Sequence, residues 1–178
     1  GLPRDTRAGM VRTADILAGL RPLTARIYLV LVLKKTLLAQ WFKNGEYQPL
    51  ALNQAVEISA EMVRIFTRAG VAVIRMGLQT SGTRDPDIIA GPEHPAFGHL
   101  VLSRIMHDTV VHKIQDLKDD QTPGQIKLYV HPRFASRLRG DKNSNLHHLK
   151  TLFPRLDFEI QTDSAMGSDQ VDILKCPA

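Results

Sequence analysis

From Ile27 to Leu33 the chain reads Ile-Tyr-Leu-Val-Leu-Val-Leu, an almost unbroken apolar run opened by Arg26 and closed by Lys34-Lys35. A strand with one wet face would alternate apolar and polar residues. A continuous run this short fits a strand covered on both faces, as in parallel sheets with helices packed above and below. The pattern predicts a strand over 25–33 within an α/β layer arrangement.

The flanking segments agree with that frame. Residues 6–19 read as a helix capped by Thr6 or Asp5, with Met10, Ala14, Ile16, Leu17 and Leu20 as its apolar side and Gly19 and Pro22 at its exit. Residues 36–43 predict a short helix carrying Trp41 and Phe42, followed by an Asn44-Gly45 turn. Over 51–69, Leu52, Ala55, Val56, Ser59, Met62, Val63 and Phe66 recur at helical spacing, and Gly70 suits the position after the helix end. Val71 to Met76 is a second strand expected to be buried. Residues 80–95 read as loop, and a helix follows at about 98–117 with Leu102, Ile105, Met106, Val110 and Leu117 on one side, broken by Asp119 to Gly124. Two or three strands cannot close a barrel, so this part either pairs with further strands or forms a small open sheet.

The last third changes period. Ile126, Leu128 and Val130 alternate with Lys127 and Tyr129, and Leu156, Phe158 and Ile160 with Asp157 and Glu159. These are half-buried strands. Helices at about 133–139 and 143–153 lie between them, giving a β-α-α-β unit with Val171 to Leu174 as a third strand. No repeat or low-complexity tract is present.

With 178 residues, 43% hydrophobic and 23% charged, the chain can bury a core without staples. Its single cysteine, Cys176, excludes an internal disulfide and any zinc or iron–sulfur site made from several thiolates of this chain. One thiol fits a reducing, cytoplasmic setting. No 18-residue apolar run exists, so no membrane partner is expected. The net charge of +5 is concentrated: residues 126–155 hold seven Lys and Arg against Asp141 alone, whereas 91–125 carry an acidic excess of two. That stretch is either a solvated basic face or a surface for an anionic partner such as RNA.

Catalytic motifs are sparse. The seven histidines form no HExxH, and no metal site is expected. No nucleophile motif surrounds a serine, and no glycine-rich phosphate loop appears. His94 lies in Gly91-Pro-Glu-His-Pro-Ala-Phe-Gly98, a loop stiffened by two prolines. It reads either as the lining of a site or as a turn that docks the next helix. The Leu138-Arg-Gly-Asp-Lys-Asn-Ser-Asn-Leu146 link joins two helices. Backbone amides at the second helix start, with Arg139 and Lys142, could hold a phosphate; the other reading is an ordinary helix–helix turn.

Gly1-Leu-Pro-Arg-Asp-Thr6 resembles the Gly-Leu-Pro-Gly-x-Thr that follows a barrel strand in radical S-adenosylmethionine enzymes. Arg26-Ile-Tyr-Leu-Val-Leu-Val-Leu-Lys-Lys-Thr36, Gly45-Glu-Tyr-Gln-Pro-Leu50, Val73-Ile-Arg-Met-Gly-Leu-Gln79 and the 91–98 loop are similar, in order, to the Elongator catalytic-subunit-like branch of that superfamily. Leu29-Val30 replaces the usual Pro-Thr, Lys35 a Gly, and Ala51 a capping Ser. The resemblance implies the C-terminal part of a partial TIM-like barrel over 1–90, a connecting loop and helix over 91–125, and a small domain over 126–178. It implies S-adenosylmethionine and a four-iron four-sulfur cluster as cofactors of an intact parent, with the cluster cysteines in a barrel half preceding Gly1. This chain alone is then expected to bind neither cofactor stably. In the parent, a 5′-deoxyadenosyl radical abstracts hydrogen from a substrate. The Gly1, Leu2, Pro3 turn and the strand end at Ile27, Tyr28 and Leu29 would face the cofactor; Arg75 and His94 are placed on the substrate side by our own inference rather than by the family pattern. Residues 126–178 resemble a KH module, the β-α-α-β unit whose GxxG turn clamps an RNA backbone. Here the turn is Gly140-Asp-Lys-Asn143, where Asn replaces the closing Gly and can still tolerate a left-handed backbone. Arg139, Gly140, Lys142, Asn143 and Asn145 would contact nucleic acid, with tRNA as partner. The alternative is a non-catalytic RNA-binding module acting through the basic 126–161 region. Without neighbouring strands, the margins at 27–33 and 71–76 are expected to self-associate.

Overall fold

A computed structural model describes residues 1–78, 87–117, 123–167 and 170–177. The loop expected around 80–86 and most of the break at 119–124 lie outside the described residues. The fold is mixed α/β with three small sheets and, among the described residues, no closed barrel. The chain divides into two units, Gly1–Val101 and Leu102–Ala178. The division falls within the segment read from sequence as a connection.

The first unit opens with α1 (Arg7–Gly19), where the Thr6 hydroxyl accepts from the Gly9 N–H at 3.0 Å. β1 (Thr24–Ile27) and β2 (Val32–Leu33) follow, then α2 (Leu37–Lys43), α3 (Leu52–Arg68), β3 (Ala72–Met76) and β4 (Ile88–Ala90). β1 and β3 run parallel, with α3 in the crossover, and α1 packs on α3. β2 pairs antiparallel with β4. Val32, Ala39 and Tyr47 form a small core there with Trp41 and Phe42.

Four expectations need correction. The single strand at 25–33 is split, because its two ends serve different sheets, and residues 28–31 carry the chain between them. Gly91 follows β4 at φ +121°, and a β-carbon on it would meet the Val30 carbonyl oxygen at 3.1 Å, so this close approach requires glycine. Residues 88–90, read as loop, supply the partner strand β4. The β1–β3 pair is not buried on both faces: most of β3 is exposed, and Ile74 is 55% exposed. α1 also turns differently from its expected apolar side. Ala14 and Ala18 are buried, whereas Ile16, Leu17 and Leu20 are exposed.

α4 (Phe97–Gln115) begins in the first unit and continues into the second. The second unit adds β5 (Gly124–Val130), α5 (Ala135–Arg139), α6 (Ser144–Leu152), β6 (Leu156–Thr162) and β7 (Val171–Pro177). The sheet order is β6-β5-β7, with β5 parallel to β6 and antiparallel to β7. Ile126, Leu128 and Val130 are fully buried against Met106, Val110, Ile114, Leu138 and Leu149. The alternation seen in the sequence thus places one face of β5 on the helices. The expected β-α-α-β order with a third strand is present.

Candidate functional site

The C-terminal end of β1 opens onto a cavity of about 410 Å³. Gly1, Leu2, Tyr28 and Leu29 line it, as do Arg26 from β1 and Met62 from α3. A cavity of this size falls in the range that holds small molecules and cofactors. Four of the five residues assigned to the cofactor therefore share one hollow, while Pro3 is not in its lining. A larger and more open concavity of about 630 Å³, with Asp15, Arg21 and Arg68, shares no residue with it.

Local bonds hold the rim in shape. The Asp5 carboxylate accepts from the Leu2 N–H at 2.8 Å, and that hydrogen bond is the main reason its pKa lies below the ordinary value. The Tyr47 hydroxyl donates to the Gly1 carbonyl at 2.7 Å, and burial raises its pKa.

Tyr28 is half exposed beside two guanidinium groups. The guanidinium of Arg26, and then that of Arg75, favours the charged form of its hydroxyl, so its pKa is lowered. Arg75 is not in the cavity lining, but it stands opposite Arg26 in the β1–β3 register. His94 lies elsewhere. Its Nδ1 accepts from the Ala96 N–H at 3.1 Å, just before α4, and its side chain borders a small recess with Leu29 and Pro92. The hydrogen bond is what a helix-docking turn requires, so that reading of the loop has a concrete basis. Sequence reasoning missed Arg26. Its period-2 relation to Tyr28 was a usable signal, but its pairing with Arg75 was not legible.

In the second unit, Arg139, Lys142 and Asn143 are exposed on the α5–α6 turn. Lys142 and Asn143 are both left-handed, at φ 51° and 63°, so Asn143 adopts the backbone that asparagine was expected to tolerate there. Gly140 has φ +76°, and a β-carbon there would come within 2.6 Å of Ser144 Oγ and 2.9 Å of the Asn145 amide nitrogen. Asn145 faces inward. Its Nδ2 donates to the Ser103, Arg137 and Leu138 carbonyls at 3.1, 3.2 and 3.1 Å, so its amide is committed to structure.

Among the described residues, no group of three or more His, Cys, Asp or Glu is placed to hold a metal. With Cys176 as the single cysteine, the residues present do not fit an iron–sulfur cluster. No helix among the described residues is long and apolar enough to cross a membrane.

Residues 22–107 match the family model of the Radical_SAM C-terminal domain. The match supports radical SAM family membership. The radical SAM match spans β1 to the middle of α4, and so includes Arg26, Tyr28, Leu29, Arg75 and His94. A search of curated proteins finds no match.

Proposed function

We propose that this chain forms part of the wall and the cofactor-facing rim of a radical S-adenosylmethionine enzyme of the Elongator catalytic-subunit-like branch. The observation that supports this most is the cavity at the end of β1, where Gly1, Leu2, Tyr28 and Leu29 meet. In this reading β1 and β3 are adjacent strands of a partial TIM-like barrel, and binding sites of barrels gather at the strand C-termini. S-adenosylmethionine, when bound, supplies the radical chemistry; the protein binds and orients it. The backbone at 27–29 would face the adenine, and Leu2, Leu29 and Met62 would exclude water. The cluster ligands are proposed to lie in a barrel half outside these residues, since one cysteine cannot supply them. Cytoplasmic operation is part of this reading, in keeping with the single free thiol at Cys176.

Calorimetric titration with S-adenosylhomocysteine tests this reading. The folded chain, which holds only part of the cofactor's site, is expected to bind it weakly and only at high ligand concentration, and Met62→Trp, which fills the hollow, is expected to abolish that binding. A folded wild-type chain that releases no heat with this ligand sinks the proposal.

The second unit supports a further role as a KH-like, tRNA-recruiting module, or as a non-catalytic RNA binder in its own right. The supporting observation is the pair of left-handed residues, Lys142 and Asn143, on a turn flanked by exposed Arg139. Anisotropy with a structured RNA should show binding that weakens steeply with salt. Arg139→Glu with Lys142→Glu should remove it. Absence of binding at low salt ends this reading.

A further inference from the structure

The β1–β3 register contains an irregularity with a chemical consequence. Ala25 pairs with Val73, but the next residue, Arg26, pairs with Arg75, so Ile74 is an extra residue on β3. Bulges are rare in parallel pairs and are over-represented beside active sites, where they re-aim side chains. Without this one, Arg26 would stand opposite Ile74. With it, two guanidinium groups stand on neighbouring strands, both exposed, and Tyr28 follows two residues after Arg26. Arg26 and Tyr28 line the cavity, and Arg75 stands opposite Arg26 outside that lining.

We propose that Arg26, Tyr28 and Arg75 form an oxyanion cradle at the cavity, which takes a phosphate or carboxylate of the molecule acted on there. Guanidinium groups suit this task because each presents parallel N–H donors that match the spacing of such oxygens. The Tyr28 hydroxyl, in the same lining as Arg26, adds a neutral donor once an anion accepts from it. The bulge sets the pair, and the cavity beside it gives the rest of the ligand a place to lie. The cradle rests on the cofactor reading only for the identity of its neighbour.

The test uses the whole chain. Inorganic phosphate is expected to shift the side-chain Nε–H resonances of Arg26 and Arg75 in NMR spectra. Adenosine 5′-monophosphate is then compared with adenosine, and S-adenosylhomocysteine with 5′-methylthioadenosine, in wild type, Arg26→Gln and Arg75→Gln. If the oxyanion is a phosphate, the monophosphate binds wild type about tenfold better than adenosine, and the variants lose that advantage. If it is a carboxylate, the same loss appears in the second comparison. Tyr28→Phe should lose less in either case. Circular dichroism confirms folding, and the phosphate shifts need no variant. Wild type that fails to bind S-adenosylhomocysteine but shows the phosphate shifts rejects the cofactor reading and leaves the cradle standing. Unshifted arginine resonances, with variants that bind every ligand as wild type does, overturn the cradle.

Discussion

Lys35 sits at φ 60°, in the left-handed region, where the similar family pattern has glycine. A side chain there carries a steric cost that glycine avoids. Lys35→Gly should therefore stabilise the chain by about 0.5–1 kcal/mol, after the added freedom of the unfolded chain is counted. Ala51 is the cap residue of α3 but has no hydroxyl, although Gln54 already accepts from its N–H at 3.1 Å. Ala51→Ser completes the reciprocal pair and should add about 1 kcal/mol. Urea denaturation measures both changes. Asn145 is the opposite case. Replacing it with Ala leaves the Leu138 carbonyl short of a donor, and should cost about 1–3 kcal/mol by the same measurement.

Between α4 and α6, two imidazoles meet. His148 Nδ1 lies 3.0 Å from His107 Nε2, and His107 Nδ1 lies 3.2 Å from the Asp108 carboxylate, which also pairs with Arg104. Burial, then the nearby His107 and Arg104, lower the His148 pKa against the opposing pull of Asp108. A histidine whose folded pKa lies below its unfolded value stabilises the fold above the unfolded value, about 6.5. That contribution is lost as pH falls through the lowered folded value. The melting temperature should thus fall as pH drops from about 7 to about 5, and fall less in His148→Gln. Equal slopes in the two proteins would remove the pair as the cause.

The open β1–β3 pair bears on how molecules behave together. Ile74 projects from a bulge and Leu23 precedes β1, at 55% and 92% exposure. Exposed apolar residues at a two-stranded margin invite pairing with another copy. Sedimentation at rising concentration should show self-association of the wild type, reduced in Ile74→Lys. A monomer at every concentration would show that the margin is protected.

Helix positions are legible in the amino-acid sequence because capping residues and apolar spacing are local. Thr6 and the apolar stripe over 51–69 place α1 and α3 closely, and the alternation at 126–130 marks the buried face of β5. The candidate rim at Gly1, Leu2, Tyr28 and Leu29 is legible only through resemblance. The split of the 25–33 run is not legible, because continuous hydrophobicity records burial and not which strand lies alongside. The pairing of Arg26 with Arg75 is equally hidden. Sequence order fixes which residues alternate along one strand, but cross-strand partners depend on register. Here one extra residue, Ile74, sets that register, and only the folded sheet brings the two charges together.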